Sequence, residues 1–389
     1  MARRVGTKVV RCGRVLPPGA GTPVVPPLVQ SVAFDHGSMA EQDAVFGGER
    51  AGYVYGRYGT PTTAALEGVL ADLDELPRAT CFTSGMAALH ALVTAHPGPL
   101  VVQEDCYGGT RALLERLRAE SGREVTFVDP TDVAGVAAAT ARGALVLVEA
   151  LSNPLLRLAD VGALATAVHA RGATLAVDAT FVTPALLRPA ALGADIVVHS
   201  LTKYLNGHGD VMGGSVAGPE ELAARLADRV MLDGAYLPPH EAWLCLRGLR
   251  TLDVRMRRHC DNAQAVAAHL AGHPKVGRVR YPGRPDHPQH ALARALLGDA
   301  FGGVVGLTLA RDDRDAAFRF LDGLELAASA ATVGDLFTEV LYPAVSSHRR
   351  LDPAERARLG ISDGFVRIAV GIEDPADIIA DLDAALERV

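Results

Sequence analysis

Short apolar runs alternate with stretches of helical spacing along most of this 389-residue chain. The run at 79–83 is followed by runs at 99–103, 125–128, 144–151, 173–177 and 194–199, each of strand length. Between them lie stretches such as 112–120 and 161–171, rich in Ala, Leu and Arg. Upstream, Leu66, Val69, Leu70 and Leu73 fall on one face of a helix. Ser84 stands where a further helix should open. Strands that are apolar throughout, alternating with helices, predict a mostly parallel, doubly wound α/β sheet covered on both faces. In such a sheet ligands gather at the carboxyl ends of the strands.

The pattern differs at the two ends. Residues 1–60 are rich in Pro and Gly, show no sustained period, and read as an irregular arm. A long helix is expected at about 252–271. It is followed by strand-like runs at 302–309 and 365–370 and helices near 312–321 and 375–388. This predicts an arm (1–60), a large α/β domain (61–250) and a smaller α+β domain (251–389).

Composition narrows the function. The chain is 49% hydrophobic and 21% charged, with a formal net charge of -7. No basic patch points to nucleic acid. No apolar run approaches the roughly 18 residues of a membrane span, and the start has no secretory leader pattern. The five cysteines are scattered and odd in number, as expected of reduced thiols in a cytoplasm. No Cys/His spacing suggests a metal. Only Lys8, Lys203 and Lys275 are lysines among 38 Lys and Arg residues. A role that needs a neutral amine cannot pass to Arg, whose guanidinium keeps its proton.

Chemistry-bearing residues cluster at strand ends. One strand ends in Asp178, and the next leads into Ser200, Thr202 and Lys203. An acid and a lysine on one sheet edge suit pyridoxal 5'-phosphate (PLP), with the lysine forming an imine and the acid pairing with the pyridine nitrogen. The same spacing suits a structural Asp–Lys ion pair or an N-cap. Thr83-Ser-Gly-Met86 opens a helix, a place that favours a phosphate, and equally an ordinary Ser N-cap.

Longer motifs resemble a known family. Ser200-Leu-Thr-Lys-Tyr-Leu-Asn-Gly-His-Gly-Asp-Val-Met-Gly-Gly214 is similar to the lysine segment of the Cys/Met-metabolism PLP enzymes. The resemblance extends through Gly52-Tyr-Val-Tyr-Gly-Arg-Tyr-Gly-Thr-Pro-Thr62, Asp105-Cys-Tyr-Gly-Gly109 and Ser152-Asn-Pro-Leu-Leu156. It continues in Val177-Asp-Ala-Thr-Phe181, Leu246-Arg-Gly-Leu-Arg-Thr-Leu252 and Val366-Arg-Ile-Ala-Val-Gly-Ile-Glu-Asp374. It implies PLP fold-type I, like the aspartate aminotransferases, and a transferase or lyase of the cystathionine γ-synthase or γ-lyase type.

The resemblance also implies roles. Lys203 is the catalytic Schiff-base lysine, and Tyr107 stacks on the pyridine ring and aids proton transfer. Asp178 pairs with the ring nitrogen, with Thr180 beside it. Ser84, Gly85, Met86, Ser200 and Thr202 hold the phosphate. Tyr55 and Arg57 reach the phosphate of a neighbouring subunit, implying a homo-oligomer built of dimers, usually a tetramer. Arg367 takes the substrate carboxylate, with Asn153 and Ser329 beside it.

The chain departs from that family's pattern at several places. Gly109 stands where methionine γ-lyases carry Cys, and Ala179 where Asn is usual. The segment 327–336, Ala-Ala-Ser-Ala-Ala-Thr-Val-Gly-Asp-Leu, keeps Ser329 but has Ala328 in place of a Glu. In the family this loop lines the substrate's distal end. The expected reaction is γ-replacement or γ-elimination on cystathionine or an activated homoserine. The alternatives are a specialised γ-replacement enzyme of a dedicated pathway, β-elimination of a cysteine conjugate, and a non-catalytic binding protein on the same fold.

Overall fold

The computed structural model describes residues 3–13 and 23–389. The expected 1–60 arm therefore falls partly outside the described residues. Its described part is not wholly irregular, since Val5–Val10 and Met39–Phe46 are helical. Ser38 caps the second helix by accepting from Glu41 N, yet that helix buries no side chain. A helix held by its cap rather than by an apolar face leaves no 3.6-residue period to read.

The first sheet has seven strands: β1 (Arg78–Phe82), β2 (Leu100–Gln103), β3 (Val125–Val128), β4 (Leu145–Glu149), β5 (Thr174–Asp178), β6 (Ile196–Ser200) and β7 (Gly214–Gly218). Their order is β1-β7-β6-β5-β4-β2-β3. The pairs from β3 to β6 are parallel, and β7 runs against both of its neighbours. Alternate residues of the central strands feed opposite cores. Val146, Val148, Leu175, Val177 and Val197 pack on one side, and Leu145, Leu147, Ala176, Ile196 and Val198 on the other. Both faces being covered, the middles of these strands are apolar on both sides.

The second sheet is smaller and follows in the chain: β8 (Val276–Arg280), β9 (Val304–Leu309), β10 (Ala328–Ser329), β11 (Glu339–Leu341) and β12 (Phe365–Ala369), in the order β10-β11-β12-β9-β8. Helix Leu252–Leu270 links the two halves. From it Arg255 Nη1 donates to Tyr204 O at 2.8 Å, and Asn262 Nδ2 donates to Gly371 O at 2.9 Å.

The reversed strand matters most for the site. Because β7 is antiparallel, its first residue, Gly214, sits beside Phe82 at the end of β1 and Ser200 at the end of β6. Three chain segments thus meet at one edge. Gly214 has no side chain there, and a Cβ would collide with the Ser84 carbonyl.

Candidate active site

Lys203 lies in the turn that follows β6. Its neighbour Thr202 closes the turn, accepting from Gly213 N at 3.0 Å. Lys203 Nζ projects into a cavity of about 430 Å³ and donates to Thr332 Oγ1 at 2.7 Å. Burial holds the amine below the usual lysine range, and the Arg367 guanidinium adds to that. Glu339 and Asp335 act in the opposite direction. A larger share of the amine is therefore neutral near neutral pH than for a solvated lysine.

Two acids face the same space from adjacent strand ends, Asp178 on β5 and Glu149 on β4, which are register partners. Burial raises the pKa of both. Glu149 is pushed up further by the Asp178 charge, and hydrogen bonds from Thr180 lower Asp178 in part. Thr180 N donates to Asp178 Oδ1 at 2.9 Å, while Thr180 Oγ1 accepts from Ser200 N at 2.9 Å. Thr180 thus ties the end of β5 to the end of β6. Glu149 accepts from Tyr107 N at 2.6 Å and from Asn153 N at 2.8 Å, so it fixes the two loops that carry those residues.

Helix Gly85–Ala95 points its N-terminus into the cavity, with Ser84, Gly85 and Met86 in the lining. Ser84 Oγ caps it through Ala87 N at 3.1 Å. A Cβ on Gly85 would lie 3.0 Å from Ser200 Cβ, so the small residue lets the helix end close on Ser200. The remaining backbone N–H groups, with the helix dipole, form an anion cradle. The donor set therefore fits PLP: an amine of lowered proton affinity, a half-buried acid across the cavity, and an anion cradle, all on one sheet edge.

The second sheet contributes another wall of the cavity. Arg367 on β12 is 3% exposed, and burial pulls its pKa down to about 10. Its Nη1 donates to Asn153 Oδ1 at 2.9 Å and its Nη2 to Thr332 O at 2.6 Å. Tyr107 lines the cavity beside them and is 40% exposed.

One expected site residue, Ser329, meets a different placement. Ser329 lies outside the lining. It is exposed in β10, opposite Val340 of β11, and Thr332 is the hydroxyl residue that reaches Lys203 and Arg367. The parallel pairing of β10 with β11 holds Ser329 at the sheet edge, and the chain turns into the cavity only at Ala331–Val333. Tyr55 and Arg57, expected at a neighbouring subunit's site, lie outside this chain's own cavity. Arg57 donates to Met231 O at 2.6 Å, and its guanidinium stacks near the rings of Tyr55 and Tyr58. The lining also includes Glu149, Phe181, Thr332 and Ser346, none of them among the expected site residues. Glu149 was legible in the sequence, because it ends its strand just as Asp178 does.

Among the described residues, no group of three or more His, Cys, Asp or Glu side chains could hold a metal ion, and no helix is long and apolar enough to cross a membrane.

Comparison with known proteins agrees with this geometry. A family model described as Cys/Met metabolism PLP-dependent enzyme matches residues 6–387. An O-succinylhomoserine sulfhydrylase of Pseudomonas aeruginosa is 42% identical, over 90% of this chain and 87% of its own length. An L-methionine gamma-lyase of Fusobacterium nucleatum is 40% identical, over 93% of each chain. A cystathionine gamma synthase of Xanthomonas oryzae, solved in complex with cystathionine, superposes with a TM-score of 0.91 at 37% identity, covering 100% of this chain and 99% of that one.

Proposed function

The chain belongs to the Cys/Met-metabolism PLP-dependent enzymes, and on that premise we propose that it replaces or removes the γ-substituent of an activated homoserine or of cystathionine. It is a PLP-dependent enzyme with a small amino-acid substrate. The observation that carries the reading is the Thr332 bridge, which sets a lysine of lowered proton affinity beside a buried arginine in one cavity.

When bound, the cofactor draws electrons from the substrate Cα, which makes its proton removable. The chain's own groups do the rest. Lys203, as a neutral amine, takes the Cα proton and can return it at a neighbouring atom. Arg367 holds the substrate α-carboxylate, aided by Asn153, and so aims Cα at Lys203. Thr332 keeps the lysine and the arginine in register. Tyr107 delivers a proton to the departing γ-substituent. Asp178 pairs with the cofactor's ring nitrogen. Ser84, Gly85, Met86, Ser200 and Thr202 hold its phosphate. Tyr55 and Arg57, outside their own chain's cavity, serve the site of a neighbouring subunit in a dimer-built tetramer.

The test uses the PLP-loaded enzyme with O-succinyl-L-homoserine, with and without L-cysteine, and L-cystathionine alone, with products identified by mass spectrometry. Cystathionine from the first mixture marks γ-replacement, and 2-oxobutanoate from either marks γ-elimination. Pyruvate from cystathionine would instead indicate β-elimination. Protein that stays colourless with added PLP and consumes none of these would overturn the reading.

A further inference from the structure

Two carboxyl groups with no part in the proposed reaction lie buried behind Lys203. Asp335 follows Gly334, which packs on the Lys203–Tyr204 peptide so closely that a Cβ on it would stand 2.6 Å from Tyr204 N and 3.1 Å from Lys203 C. The Asp335 carboxyl faces Gly209, where a Cβ would meet it at 3.1 Å. Glu339 opens β11 and shares a strand face with Leu341, which lines the cavity. Asp335 is 4% exposed and Glu339 1%. The two carboxyls act on each other electrostatically, and no described residue satisfies Glu339 Oε2 or Asp335 Oδ1.

Two adjacent buried carboxyls cannot both ionise cheaply, so they share a proton. Burial raises both, and the Asp335 charge helps push Glu339 up to about 7. The charged and titratable groups facing the pair are Lys203 and Tyr204 from the turn after β6, Asp210 from the next loop, Arg255 from helix Leu252–Leu270 and Arg367 from β12. All three cations, Lys203 among them, donate to neutral acceptors rather than to a carboxylate. Arg255 donates to Tyr204 O, Gly248 O and Thr251 Oγ1, and Arg367 to Asn153 and Thr332. Asp210 is held by Asn206 at 2.8 Å, and Glu373 by Thr338 Oγ1 at 3.0 Å. Lys203 donates to a neutral hydroxyl, which leaves its charge free to respond to the pair.

We infer that Asp335 and Glu339 are positioning residues: a buried acid pair that sets the protonation of the Lys203 nitrogen without touching substrate or cofactor. The inference rests on Lys203 being the cofactor-bearing lysine. No proton passes between the pair and Lys203, because the effect is Coulombic through a poorly screening interior. As pH rises through about 7, ionisation of Glu339 adds a second negative charge to that of Asp335. The second charge favours the protonated nitrogen and delays its conversion to the basic form.

The test is a pH titration of the holoenzyme's visible absorbance, which reports the nitrogen linking Lys203 to the cofactor, together with the pH profile of kcat/KM. Glu339→Gln and Asp335→Asn each keep side-chain size and leave the pair with at most one charge. In both variants the titration should move to lower pH, with the ratio of neutral to protonated nitrogen at a fixed alkaline pH rising about tenfold. The alkaline behaviour of kcat/KM should move with it. Curves that superimpose on the wild type would overturn the inference. So would variants that lose only cofactor content or melting temperature, or that fail to fold, since those outcomes mark a structural pair. Lys203→Ala separates the two readings. If it retains the visible band, the assignment of Lys203 fails; if it loses the band while the pair variants do not shift, only this inference fails.

Discussion

Lys203 Nζ and Thr332 Oγ1 lie 2.7 Å apart, although 129 residues separate them in the chain. One comes from the turn after β6 in the large sheet, and the other from the loop between β10 and β11 in the small one. The Thr332 carbonyl also accepts from Arg367 Nη2. One residue therefore holds the lysine by its side chain and the guanidinium by its backbone. The two halves of the molecule cannot shift relative to each other without disturbing one of these contacts.

Thr332→Val removes the hydroxyl and keeps the shape and the backbone acceptor. A hydrogen bond to a charged group contributes about 1.5–3 kcal/mol. Steady-state kinetics should show kcat/KM falling roughly tenfold or more, while Thr332→Ser stays close to wild type. A Thr332→Val enzyme with unchanged kcat/KM would show that the contact does not matter to the reaction.

Arg367→Lys keeps the charge and loses the planar fork. A lysine cannot present two parallel donors to a carboxylate, nor satisfy Asn153 Oδ1 and Thr332 O together. The expected result is a KM raised about tenfold to a hundredfold with a smaller change in kcat. A drop in kcat alone would assign the guanidinium to chemistry rather than to binding.

The sequence exposed the large sheet because its strands are buried on both faces and so carry uninterrupted apolar runs. It did not expose β7. Gly214-Ser-Val-Ala-Gly218 is short and bounded by glycines, and it is a strand because it fills the slot between β1 and β6. At the site, Asp178 and Lys203 were legible because strand ends carry chemistry in such folds. Thr332 was not. Its neighbour in sequence, Ser329, has the same hydroxyl chemistry, and only the β10–β11 pairing decides which of the two faces the cavity. Glu339 was hidden too: it opens a strand, Glu339–Leu341, that is buried throughout, and a charged residue there gives no apolar signal.

Gly109 and Tyr107 show how backbone space sets the ring. A Cβ on Gly109 would lie 2.5 Å from Tyr107 Cε1 and 3.1 Å from Met86 Sδ. Gly109→Cys should therefore displace the Tyr107 ring. The expected outcome is a several-fold loss of kcat with cofactor content retained, since the anion cradle and Lys203 are untouched. Tyr107→Phe should lower kcat as well, and the double variant should add little to either single change, as for two changes acting through one ring. Fully multiplicative losses would mean that Gly109 acts elsewhere.

Behind the site, on the far face of β6, His199 Nε2 and Asp74 Oδ1 meet at 2.9 Å with both residues fully buried. Burial alone would lower the imidazole pKa, but the Asp74 charge and hydrogen bond outweigh it, so His199 titrates above its ordinary value. A group whose proton affinity is higher in the folded state stabilises the fold while it is protonated. That stabilisation is full below the unfolded histidine pKa, near 6.5, and is lost as pH rises through the raised folded value. Asp74→Asn leaves His199 without its counter-charge, and removing one partner of a buried pair costs about 3–5 kcal/mol. Denaturant unfolding of both proteins from mildly acidic to alkaline pH should show the largest gap at the acidic end and convergence at the alkaline end. A gap independent of pH would mean that His199 is neutral throughout and that Asp74 acts only as a hydrogen-bond acceptor.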